Sequence, residues 1–173
     1  MKTLQKLLPV LFLIASSCPF SQQKFPDSWL GNWKGDLEIY APDGTVKQNV
    51  PMELHISKLK EEKKWQWKIV YNNSDVRNYE LVETDASKGN YHIDEKNNIL
   101  IDVAVFGNKT FSSFEVQGFT IFDTHTLIGD TIVFELNTSQ SKDTRTSGDG
   151  TGEIPAVKSF PQIGYQKAVL QKQ

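Results

Sequence analysis

The sequence predicts an all-β chain folded as an antiparallel up-and-down barrel of about 8–10 strands, with a β-sandwich as the alternative. Three observations carry this. Apolar and polar residues alternate in segment after segment, at roughly ten-residue spacing with short, turn-rich connections. No stretch shows the apolar period of an amphipathic helix. The 173 residues include four Trp, ten Phe and five Tyr, large side chains that suit pleated surfaces. A barrel is favoured over an open sheet because closure removes exposed strand edges.

Residues 1–21 read as a leader outside the folded domain. Lys2 and Lys6 form a basic start, Leu7 to Ile14 is apolar apart from Pro9, and Ala15-Ser16-Ser17 supplies small residues. That is the layout of a secretory signal peptide. The apolar run falls short of the about 20 residues that a transmembrane helix needs. Cleavage is expected just before Cys18 or after Ser21. Cys18, the single cysteine, resembles the lipid-modified cysteine of bacterial lipoproteins, although Ala15 stands where that pattern prefers Leu or Val. The expectation is export to the periplasm, the envelope or the medium, with Cys18 as a candidate lipid anchor. Without Lys2 and Lys6 the chain would hold 17 basic against 21 acidic residues, a net charge of −4. That balance, with no basic patch, argues against nucleic acid as partner.

Residues 22–29 read as a tether, and residues 30–173 as a single barrel domain. Trp33, Leu37 and Ile39 share one face of the opening strand, with Gly35 between them, and Lys34, Asp36 and Glu38 take the other. Pro42-Asp43-Gly44 turns the chain. Met52, Leu54 and Ile56 alternate with Glu53, His55 and Ser57 in a second strand, and a charged connection follows. Trp65, Trp67, Ile69 and Tyr71 line one face of the third strand. After a turn at Asn72–Asp75, Arg77, Tyr79 and Leu81 share one parity of the fourth. Tyr91 and Ile93 lead to a tip at Glu95–Asn98, and Ile99, Ile101, Val103 and Val105 follow around an outward Asp102. Gly107-Asn108-Lys109 is a tight connection, after which Phe114 and Val116 are expected to face inward. The run Phe119–Phe122 is expected to end in a turn near Asp123-Thr124-His125. Gly129-Asp130 reads as a turn or bulge before Ile132, Phe134 and Leu136. The polar residues 137–156 read as a mobile loop. Tyr165–Leu170 is the final strand, placed to pair with the first.

Gly31-Asn32-Trp33, at the head of the first strand, resembles the Gly-x-Trp signature of the lipocalins and the wider calycin group. The resemblance covers this motif and the general meander. It implies a calycin-like barrel with Gly31 and Trp33 as a structural plug at one end, distant from any ligand. The later lipocalin signatures are not evident, nor is the helical lid of the fatty-acid-binding proteins.

Among polar residues, Arg77 and Tyr79 stand out. An interior guanidinium requires an acid or a bound anion. An Arg-x-Tyr pair resembles the carboxylate clamp of the fatty-acid-binding proteins, though there it lies on a late strand. The alternative is an ion pair of Arg77 with Asp75, Glu83 or a neighbouring strand. Trp65, Trp67 and Tyr71 are candidates to line a cavity or simply to fill the core. His55, His92 and His125 lie on separate segments without ligand spacing, so no metal site is expected. Asp143 to Glu153 only superficially resembles a calcium loop, no cofactor is implied, and no residue is nominated as a nucleophile.

Three functions fit these residues. The first is an exported binding protein for a small apolar or amphipathic ligand, with Arg77, Tyr79, Trp65, Trp67 and Tyr71 around it. The second is an envelope structural or interaction protein with a filled core. The third is a hydrolase with a cleft at the barrel mouth.

Overall fold

Residues 25–142 and 144–173 are described in a computed structural model. The leader, Cys18 and its lipid-anchor reading, and Asp143 lie outside the described residues. Side-chain alternation sets the architecture. In chain order the strands are β1 (Gly31–Tyr40), β2 (Val46–Lys58), β3 (Lys64–Tyr71), β4 (Asp75–Asp85), β5 (Asn90–Asp94) and β6 (Leu100–Phe106). They continue with β7 (Lys109–Val116), β8 (Phe119–Ile128), β9 (Thr131–Gln140), β10 (Arg145–Ser147), β11 (Val157–Ser159) and β12 (Gln162–Lys172). Among the described residues ten of these close into an antiparallel barrel, each beside its sequence neighbour, with β12 between β9 and β1. Closure through Leu37 opposite Ala168 and Trp33 opposite Lys172 excludes the sandwich.

The Gly-x-Trp motif has a physical account at each position. Gly31 has φ +141°, where a side chain is strained. Trp33 is 0% exposed, and its indole N–H donates to the Trp29 carbonyl at 2.9 Å. The Lys172 ammonium lies 5.1 Å from the Trp33 ring centroid. Gly35 passes close to β12: a Cβ there would stand 2.3 Å from the Val169 carbonyl oxygen.

Four features differ from the expectations. Phe25–Trp29 is more than a tether. Trp29 is 1% exposed, the Phe25 ring packs edge-on against Tyr91 at 5.0 Å, and Asp27 pairs with Lys58 at 2.9 Å. The segment therefore floors the end of the barrel where β1 begins and β2 ends. Val116, expected inward, is exposed at the end of β7. Asp123-Thr124-His125 is not a turn but the middle of β8. The reversal comes earlier, at Gln117 (φ +52°) and Gly118 (φ +85°). Finally, β9 carries the barrel to Gln140, and Arg145–Ser147 pairs with Val157–Ser159 in a separate two-stranded ribbon. Asn137–Gln140 are polar and still strand, because their outward faces meet water and their backbone meets β8 and β12.

The floor and the tips lie at opposite ends. The β1–β2, β3–β4, β5–β6 and β7–β8 turns and the ribbon gather at the mouth, away from Phe25–Trp29.

Candidate functional site

Between floor and mouth the barrel holds a cavity of about 220 Å³. Its apolar wall comes from inward positions of successive strands, among them Trp67, Ile69 and Tyr71 on β3, Tyr79 and Leu81 on β4, Ile101 and Val103 on β6, and Phe134 and Leu136 on β9. Phe25 closes it from the floor. Its polar wall is formed by Thr110 and Ser112 on β7 and Asp123 and His125 on β8.

Pairing explains this polar concentration. His125 lies opposite Thr110 on β7 and Phe134 on β9, and Asp123 opposite Ser112 and Leu136. The alternation that turns Ile121 and Leu127 inward turns Asp123 and His125 inward as well. The His125 backbone N–H donates to Thr110 Oγ1 at 3.3 Å, and Thr110 Oγ1 lies 3.4 Å from His125 Nδ1. The imidazole stands edge-on to Trp67 at 5.4 Å and lies 4.8 Å from the Phe134 ring. Its Nε2 is buried without a protein hydrogen-bond partner. That leaves unmet hydrogen-bonding capacity whose cost is about 1–3 kcal/mol.

Burial sets the charge states. It pulls the His125 pKa down to about 3 and pushes the Asp123 carboxyl up to about 7. Asp123 Oδ1 and His125 Nδ1 are 3.7 Å apart. That is too far for a hydrogen bond, and with a neutral imidazole the two are not an ion pair. Burial also pushes the Tyr71 phenol up to about 12, and burial followed by the nearby Glu95 charge raises that of Tyr79. Between about pH 3 and pH 7 Asp123 and His125 are thus both uncharged, with Glu95 also on the wall. Among the described lining residues there is no Lys or Arg.

The residues singled out from sequence divide. Trp67, Tyr71 and Tyr79 line the cavity. Trp65 is buried beneath it, packed 6.4 Å from Tyr91, and does not reach the space. Arg77 shares the inward parity of Tyr79 but sits at the rim. Its side chain is 50% exposed and ion-paired to Asp75 at 2.9 Å. The strand carries Arg77 past the cavity lining to the mouth, where the ion pair with Asp75 weighed in the sequence is the one formed. Gly31 and Trp33 stay at the floor end, outside the lining. His55 faces outward, against Asn32 and Glu53 at 2.7 Å each.

Asp123 and His125 are the residues that reading for hydrophobic alternation misses. A signal was present: Thr120, Ile121, Phe122, Thr124 and Thr126 are strand formers flanking both, and Gln117-Gly118 already supplies the turn.

A structure from the DUF3598 family, a protein of unknown function from Nostoc punctiforme PCC 73102, superposes with a TM-score of 0.61 at 10% identity. The match covers 85% of this chain and 48% of that one, so the chain spans about half the length of this neighbour. Two single-site mutants of the fluorescent protein UnaG match with TM-scores of 0.47 and 0.46 at 13% and 12% identity. They cover 85% and 84% of this chain and 98% and 96% of their own. No family model matches the chain, and no curated protein does. At such identity the likeness concerns the fold alone: a calycin-like, closed, ten-stranded antiparallel barrel.

Proposed function

We propose that this calycin-like barrel is an exported binding protein for a small, ring-based molecule carrying a neutral N–H or O–H group. The observation that supports it is the buried His125 Nε2, left without a partner beside Asp123 in a cavity otherwise walled by aromatic and aliphatic side chains. Export rests on the leader read from Lys2, Lys6 and Leu7–Ile14.

Size and charge narrow the ligand. A cavity of about 150 Å³ accepts benzene, so 220 Å³ suits one or two fused rings and not a long acyl chain. An anionic head group would meet the Glu95 carboxylate with no cation on the described lining. A neutral donor or acceptor would satisfy Asp123 and His125 while its rings stack on Trp67 and Phe134.

Trp67 provides the readout. Titration with 1-naphthol or 1-aminonaphthalene at pH 6 is expected to change tryptophan fluorescence saturably, and 1-naphthoate to leave it unchanged. His125→Phe should weaken the response to the neutral donors by about 1–3 kcal/mol. A flat response to all three compounds would reject the reading. A preference for naphthoate would reject the assigned polarity.

A further inference from the structure

The β6–β7 ladder is cut short. It consists of Ala104 opposite Phe111, Val105 opposite Thr110 and Phe106 opposite Lys109, and ends there. Both strands continue towards the mouth with full partners on their far sides. Leu100–Ala104 pairs with β5, and β7 pairs with β8 as far as Val116 opposite Phe119. The two strands splay into a slot where the register would set Val103 beside Ser112 and Asp102 beside Ser113.

On the outside of this slot lies a cleft of about 460 Å³. One wall is polar, from Thr84, Asn90 and Asp102, and the other carries Phe111, Ser113 and Phe122. Val103 and Ser112 line both this cleft and the inner cavity, so a single layer of side chains separates them. Phe106, 68% exposed, stacks edge-on to Phe111 at 5.8 Å, and Phe111 lies 6.2 Å from Phe122, which extends the apolar wall outward.

We propose that the ligand enters and leaves the barrel sideways, through the β6–β7 slot, with Val103 and Ser112 as the gate; this rests on the binding reading above. The floor is blocked by Phe25–Trp29. Moving Val103 and Ser112 apart breaks no ladder hydrogen bond between their strands. The β1–β12 ladder also skips Gly35 and Asp36, but it resumes on both sides of that gap, whereas the β6–β7 ladder does not resume towards the mouth. Local opening is cheapest where backbone pairing is already missing. The outer cleft offers the ligand an aromatic surface before it passes the gate.

The experiment bridges the slot from outside, at positions that do not line the inner cavity. Asp102→Cys and Ser113→Cys, in a Cys18→Ser background, are joined by oxidation or a short bis-maleimide. Stopped-flow tryptophan fluorescence then follows 1-aminonaphthalene. Bridging should slow association and dissociation together, by about ten-fold or more, with Kd within about two-fold of the unbridged protein. Ser113→Trp, which fills the cleft without a crosslink, should act in the same direction and covers a failure of the double variant to fold. Rates equal to the unbridged protein would overturn the gate and leave the cavity reading standing. Slower association with Kd weakened in proportion would overturn it too, marking the cleft as part of the binding site and not a passage. No binding by the unmodified protein would overturn the cavity reading itself.

Discussion

Burial acts on Asp123 and His125 in opposite directions, and the consequence is measurable. The folded-state pKa of Asp123 is raised from 3.8 to about 7, so its contribution to stability is complete below pH 3.8 and lost as pH rises through about 7. The folded-state pKa of His125 is lowered from 6.5 to about 3, so its contribution is present above pH 6.5 and lost as pH falls. Between about pH 4 and 6.5 the native pair holds one proton on Asp123 and the unfolded pair one on the histidine. Together they add no slope there. Asp123→Asn removes one side of this balance. Its unfolding free energy should fall by about 3 kcal/mol relative to wild type from pH 6.5 to pH 4. Denaturant midpoints across that range check it, and parallel profiles would count against a buried, neutral His125. Arg77→Met should change stability by less than about 1 kcal/mol, because the Asp75 pair is half-exposed at the rim. It should also leave 1-aminonaphthalene affinity unchanged, as titration of the variant would show. Gly35→Ala drives a methyl into the Val169 carbonyl and should cost about 1–3 kcal/mol in chemical denaturation.

At the scale of strands, β1 and β3 were legible because their inward residues are apolar and their outward ones polar: Trp33 and Leu37 against Lys34 and Glu38, and Trp65 and Trp67 against Gln66 and Lys68. The same rule failed at β8. Two of its inward positions are Asp123 and His125, so the hydrophobic signal vanishes where the cavity becomes polar. Arg77 shows the complementary limit: parity gives the face of a strand, not the height, and at the rim it forms the ion pair with Asp75 that was the alternative to a clamp. Phe25–Trp29 carries no local pattern at all, since its burial depends on Tyr91 and Trp67 far along the chain. The β6–β7 slot was equally hidden, because pairing between strands leaves no trace in either strand alone. Its own expected outcome is in hydrogen exchange. Backbone amides of 101–103 and 112–114 that point into the slot should exchange faster than those of 66–69, which are paired on both sides with β2 and β4. Equal protection would mean that the slot is closed in solution.

For the whole molecule, closure and a polar cavity are two separate statements. The Gly31-Asn32-Trp33 motif and the meander bear on the first. They organise the floor, where Gly31 turns the chain, Trp33 is buried and Trp29 packs over it. The second depends on β7 and β8, on the far side of the barrel from β1. A filled core would have placed apolar side chains at Thr110, Ser112, Asp123 and His125. His125 Nε2, buried on the cavity wall without a protein hydrogen-bond partner, costs stability and favours an occupant that completes it. Native mass spectrometry of the protein isolated from its own source tests this most directly. The expected spectrum shows a one-to-one adduct with the mass of a one- or two-ring molecule, released on denaturation and absent from a His125→Phe variant. A spectrum at the bare polypeptide mass, identical in the two proteins, would contradict it.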